Sequence, residues 1–139
     1  MSYVPIEKLN KVSKGNHQGV VANISPIIFV SLNDLVESVQ NKSTIPLYLL
    51  LDGITDVRNF GAIIRTAECC GVDGIIVQEK GSAPINADTV KTSAGAVFKV
   101  PICKVDHIKD ALFHLQTYDV KIVAATEKTD ETVYDIDLK

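Results

Sequence analysis

The residues best suited to chemistry fall in one short stretch, which reads Leu51-Asp52-Gly53-Ile54-Thr55-Asp56-Val57-Arg58-Asn59-Phe60-Gly61-Ala62-Ile63-Ile64-Arg65-Thr66-Ala67-Glu68. Asn59 stands at the start of a helical pattern, where its side-chain oxygen can cap the amide of Gly61 or Ala62. The pattern buries Ile63, Ile64, Ala67 and Cys70 on one stripe and sets Arg65 about 100° from Ile64, off the stripe's centre. Four residues before Arg65 is Gly61, which has no side chain to stop the arginine folding back towards the helix N-terminus. A guanidinium beside free helix amides suits an anion such as an RNA phosphate, and Arg58 and Asn59 belong to the same group. A structural alternative stays open. Asparagine caps many helices without further function, and a flank arginine commonly solvates or pairs with a carboxylate.

Other combinations carry less. Asp52 and Asp56 have no third ligand to make a cation site, so no metal is expected. His17, His107 and His114 are scattered, and no serine or cysteine sits in a nucleophile elbow. His107 and His114 read as surface residues of one helix. Neither a G-x-G-x-x-G nor a Walker A loop is present. Cys69, Cys70 and Cys103 lack C-x-x-C spacing and read as reduced structural thiols, with one of the adjacent pair facing the core.

The chain has 139 residues, 46% hydrophobic and 22% charged, enough for one folded domain. No apolar run reaches membrane-spanning length and no secretory leader is recognised, so the reading is cytoplasmic with no membrane partner. The net charge of −3 argues against a broad nucleic-acid-binding surface. Its distribution is uneven. Residues 1–20 hold three lysines against one glutamate, whereas residues 127–139 hold five carboxylates against two lysines.

The elements that must position the stretch alternate in type. Residues 1–26 read as an interdomain linker, with Val20-Val21-Ala22 as a possible short strand, and residues 27–139 read as the folded part. Residues 31–39 have the i, i+3, i+4, i+7 stripe of a helix capped by Ser31 or Asn33. Strands are predicted at 47–51, 74–77, 97–105 (bent at Pro101) and 120–125. Helices are predicted at 60–70, ending at Gly71, then at 86–93, and at 106–118 with Asp106 as cap. Strands separated by helices imply an α/β fold, a mostly parallel sheet with helices on both faces. The loop leaving the first strand is where such a fold places function.

The stretch from Asp52 to Ala67 resembles the first signature motif of the SpoU (TrmH) family of RNA 2′-O-ribose methyltransferases, whose core is Asn59 followed by Arg65-Thr66-Ala67. The similarity continues through Gly71-Val72-Asp73-Gly74-Ile75-Ile76-Val77, Asn86-Ala87, Ser93-Ala94-Gly95-Ala96 and Val100-Pro101-Ile102. Upstream, His17-Gln18-Gly19-Val20-Val21-Ala22 is similar to the linker that joins an N-terminal RNA-recruiting domain to the catalytic domain. The 23S rRNA guanosine 2′-O-methyltransferase subgroup is the best match.

The resemblance implies a SPOUT-like (α/β-knot) domain lacking its C-terminal knot. It also implies S-adenosylmethionine as methyl donor, RNA (most directly rRNA) as partner, and a homodimer for the intact protein. Arg65 matches the arginine that activates the ribose 2′-hydroxyl. A guanidinium does not readily lose its proton, so orienting a phosphate and polarising the hydroxyl is the easier role. Asn59 matches the asparagine that positions this arginine and the ribose. Thr126 is matched to the border of the donor pocket. The other donor motifs, including a Gly-x-Glu-Gly that this sequence does not contain, are expected beyond residue 139. The resemblance therefore implies a chain shortened at both ends and inactive by itself. The alternative is a non-catalytic α/β module that binds RNA or protein.

Overall fold

The structure, a computed structural model, describes residues 3–22, 26–40 and 45–137. Three strands, β1 (Tyr48–Leu51), β2 (Gly74–Gln78) and β3 (Ile102–Val105), form a wholly parallel sheet in the order β1-β2-β3. The register pairs Tyr48 with Gly74 and Ile75 with Ile102. Its helices are α1 (Ile6–Val12), α2 (Leu32–Gln40), α3 (Val57–Cys69), α4 (Ala87–Thr92) and α5 (Ile108–Gln116), with a 3₁₀ turn at Ala96–Phe98.

Side chains alternate across a strand, so the central strand serves two cores. Ile75 and Val77 of β2 join Phe60, Ile64 and Ala67 of α3 and the segment around Val97. Ile76 points the other way, to Leu35 and Val36 of α2 and Ala111 and Leu115 of α5. This explains why β2 is apolar without alternation: both faces are covered. Helices lie on both faces of the sheet, as its strand and helix order predicts. Phe60 and Ile64 are almost fully buried, each contributing roughly 1.5–3 kcal/mol of transfer free energy.

Several boundaries differ from expectation. The 97–105 strand is a 3₁₀ turn followed by β3, because Pro101 has no amide and the ladder starts after it. The Pro101 carbonyl still accepts the Ile75 amide at 2.9 Å. Residues 120–125 form no strand: they make no ladder pairing, so the sheet has three strands rather than four. The Val120 amide instead closes the end of α5 on the Leu115 carbonyl. Val20-Val21-Ala22 is not a strand either. Val30 takes the edge of β3, bridging Cys103.

Within the segment read as a linker, α1 is helical but buries no residue. Ser31 caps α2 as predicted, its hydroxyl accepting the Asp34 amide at 3.1 Å. His107, not Asp106, precedes α5, and it makes no side-chain cap bond. His114 is not a plain surface residue. Its Nε2 is enclosed without a hydrogen-bond partner among the described residues, and its ring centroid lies 5.2 Å from that of Tyr118.

Candidate functional site

The site is built on α3, and the start of that helix differs from its sequence reading. Asp56, not Asn59, is the N-cap: its backbone is extended and its Oδ1 accepts the Asn59 amide at 2.7 Å. A carboxylate at this position satisfies an orphan amide and complements the positive end of the helix dipole, which an asparagine cap does less well. Asn59 is thereby moved into the first turn, exposed. The cap also changes the electrostatics. An anion approaching the N-terminus of α3 meets the Asp56 carboxylate rather than a set of free amides.

The rest of the helix follows from its period. At about 100° per residue, Phe60, Gly61, Ile64 and Ala67 form the buried face, which matches the structure. Ile63 is only half-buried, and Cys70, expected inside, is exposed. It is the C-cap, where the chain turns away before Gly71, whose φ of 72° supplies the left-handed stop.

Gly61 also has a packing role that its place before Arg65 did not suggest. It faces α4, and a Cβ there would lie 1.9 Å from Thr92 Oγ1, 2.8 Å from Thr92 Cβ and 3.1 Å from the Ser93 nitrogen. Its missing side chain is what lets α4 press against α3. The sequence signal for this was a glycine inside a helical pattern, a position that needs a packing reason.

Arg58 and Arg65 are both exposed, and neither makes a hydrogen bond or ion pair among the described residues. Seven residues apart, they lie only about 20° from each other on the helix wheel. Asn59 and Arg65, six apart, lie about 120° from each other, on opposite flanks of the buried face. Glu68, the one carboxylate within α3, is held by Lys99 Nζ at 3.0 Å. That pair leaves the arginine flank without a free acid of its own helix.

Thr126 is exposed in a stretch without ladder pairing, and its hydroxyl accepts the Lys128 amide at 3.2 Å. A shallow groove of about 350 Å³ lies between residues 26–30 and 97–102 and contains none of the predicted site residues. Among the described residues no group of three or more His, Cys, Asp or Glu side chains is placed to hold a metal ion. No described helix is long and apolar enough to cross a membrane.

Two groups of the opposite core, the one covered by α2 and α5, are structural. The Cys103 thiol, fully enclosed on β3, is pushed up to about 11 by burial. Burial, then the charge of Asp73, raises the Tyr48 phenol.

Comparison with known proteins bears on the motif. The 23S rRNA (guanosine-2′-O-)-methyltransferase RlmB of Pseudomonas aeruginosa is 38% identical over 132 residues, which are 95% of this chain and 53% of that protein. A crystal structure of the SpoU methyltransferase AviRb from Streptomyces viridochromogenes superposes with a TM-score of 0.57 at 28% identity, over 67% of this chain and 38% of AviRb. An AdoMet-bound rRNA methyltransferase from Sinorhizobium meliloti gives a TM-score of 0.53 at 29% identity, over 64% of this chain and 32% of its own. The chain spans about half the length of the curated relatives it matches. Residues 46–139, which span the three-stranded sheet and α3, match the SpoU rRNA Methylase family, and the chain belongs to that family.

Proposed function

We propose that this chain supplies the RNA-facing part of an S-adenosylmethionine-dependent RNA 2′-O-ribose methyltransferase acting on rRNA. In this reading residues 1–26 are a linker, and the active assembly is a cytoplasmic homodimer. The observation that carries the reading is Arg65: an exposed, unpaired guanidinium inside the family's signature segment. A buried or paired arginine would argue for a structural role; an unspent one is available to an anion.

Arg65 binds a substrate phosphate and turns a donor N–H towards the ribose 2′-oxygen, favouring the alkoxide as its proton leaves. Asn59, on the other flank, contacts the ribose through its amide rather than by holding Arg65. S-adenosylmethionine supplies the methyl group in such a reaction, and the one groove described, between residues 26–30 and 97–102, contains none of the residues matched to the site. Thr126, the residue matched to the donor pocket, is exposed, and its hydroxyl is engaged only by the Lys128 amide. No step is therefore assigned to the donor here, and residues 1–139 are expected to be inactive by themselves. A non-catalytic RNA-binding role for this chain shares Arg65 and is favoured by the exposure of Thr126.

Two measurements test the proposal. Titration calorimetry of the chain with S-adenosylmethionine should give no binding heat, and tight binding would refute the account of the missing pocket. Binding to a short single-stranded oligoribonucleotide should weaken as salt rises and weaken further in Arg65→Ala. If Arg65→Ala binds like the parent, the assignment of this arginine fails. Methylation of that RNA by the chain alone would rule out the non-catalytic role.

A further inference from the structure

Resting on the RNA-facing reading of Arg65, we propose that Arg58 is its functional partner, and that the two hold separate phosphates of one RNA strand running along the α4 side of α3. Four observations meet here. Both arginines are exposed and free of ion pairs among the described residues. They share one flank of α3 and stand about 10.5 Å apart along its axis. Ala62, exposed about 40–60° round the helix from them on the side away from α4, is too small to crowd a strand passing from one to the other. Finally, the acids of α3 and its cap are engaged: Glu68 is neutralised by Lys99, and Asp56 is turned to the helix terminus by its cap bond.

The Asp56 carboxylate also decides the direction of the contact. It disfavours a phosphate on the axis of α3, so an anionic chain is better accommodated beside the helix than on its end. The flank in question is the one next to Gly61, where α4 is drawn in against Thr92. The acid on α4 nearest this contact is Asp88, whose carbonyl accepts the Thr92 hydroxyl at 2.8 Å. Its carboxylate pairs with neither arginine, while Lys91 on the same short helix is exposed and adds positive charge. Asn59 lies on the opposite flank. The anionic track is consequently Arg58 to Arg65, and the ribose contact is made around the other side of the helix.

Each phosphate neutralised on a single strand contributes about 0.7 to the slope of log affinity against log salt. The test is binding of a short mixed-sequence single-stranded oligoribonucleotide to the 139-residue chain across a salt series, by fluorescence anisotropy. Arg58→Ala and Arg65→Ala should each lower the slope by about 0.7, and the double variant by about 1.4. The fold-losses of the singles should multiply in the double variant, as for independent contacts. Arg58→Lys should keep the parental slope. Lys109→Ala, on α5 across the sheet, should also keep it, with all variants equally stable to heat.

If Arg65→Ala lowers the slope and Arg58→Ala does not, the partnership is overturned while the RNA-facing reading survives. If the double variant binds no worse than the weaker single, both arginines share one phosphate and the two-phosphate track is wrong. If neither arginine alters the slope, or binding is absent at low salt, the underlying RNA-facing reading falls as well.

Discussion

Replacing Gly61 by alanine tests whether the α3–α4 contact is as close as the geometry requires. In an open helix interior the change stabilises by about 1 kcal/mol, because alanine loses less backbone entropy and has the higher helix propensity. Here the added methyl would sit 1.9 Å from Thr92 Oγ1. Rotating Thr92 can move that oxygen, at the cost of its bonds to the Asp88 and Thr89 carbonyls at 2.8 and 3.3 Å. Rotation cannot move Thr92 Cβ at 2.8 Å or the Ser93 nitrogen at 3.1 Å, which belong to the backbone framework of α4. The helix pair must therefore separate, and overpacking of this kind costs roughly 1–3 kcal/mol. Set against the propensity gain, the net loss should be up to about 2 kcal/mol. Urea denaturation of the parent and Gly61→Ala measures it directly. Thr92→Gly removes the opposing Cβ, so the double variant Gly61→Ala/Thr92→Gly should recover most of the overpacking term, a coupling of about 1 kcal/mol or more. A Gly61→Ala chain at least as stable as the parent would show that the contact is not closely packed.

Two other predictions concern the ends and the inside of the same scaffold. Asp56→Ala removes the side-chain cap of α3 and should lower stability by about 0.5–2 kcal/mol, whereas Asp56→Asn should keep most of it; near 1 kcal/mol the melting temperature falls by about 3–5 °C, and equal losses in the two variants would show that the carboxyl oxygen is not acting as a cap. Cys103 gives a pH dependence. Burial pushes its thiol up to about 11 in the folded chain, against an ordinary 9.0, so the unfolded chain releases the proton first. Stability from this group is intact below pH 9 and is lost as pH rises from 9 towards 11, by about 2–3 kcal/mol at most. Denaturation midpoints of the parent and Cys103→Ala should converge over that range. Parallel pH curves would place the thiol in a better-solvated site.

The features legible in the sequence are those set by neighbours along the chain. Leu47 to Leu51 reads as a strand because five apolar residues in a row suit a site covered on both faces, and β1 lies within that run. Gly71 reads as a helix stop because only a residue tolerant of positive φ closes a helix that way, and its φ is 72°. What misled was competition between equally good local signals. Asp56 and Asn59 are both strong caps, and the local pattern could not weigh the carboxylate's bond to the Asn59 amide against an asparagine cap three residues later. Residues 120–125 have strand-like composition, but a strand exists only in a ladder, and composition cannot supply the partner.

The same limit governs the site. A linear motif pairs Asn59 with Arg65 because they stand six residues apart in one stretch, yet a helix groups residues by angle. Six residues turn through about 600° and leave Asn59 about 120° from Arg65, while seven residues bring Arg58 back to within about 20° of it. The motif therefore identifies the helix that faces the substrate, and the helix period, not the motif, identifies which charges can act on one strand of it. Under this geometry a change at Asn59 and a change at Arg58 should be separable, the first altering affinity without changing the salt slope and the second altering the slope itself.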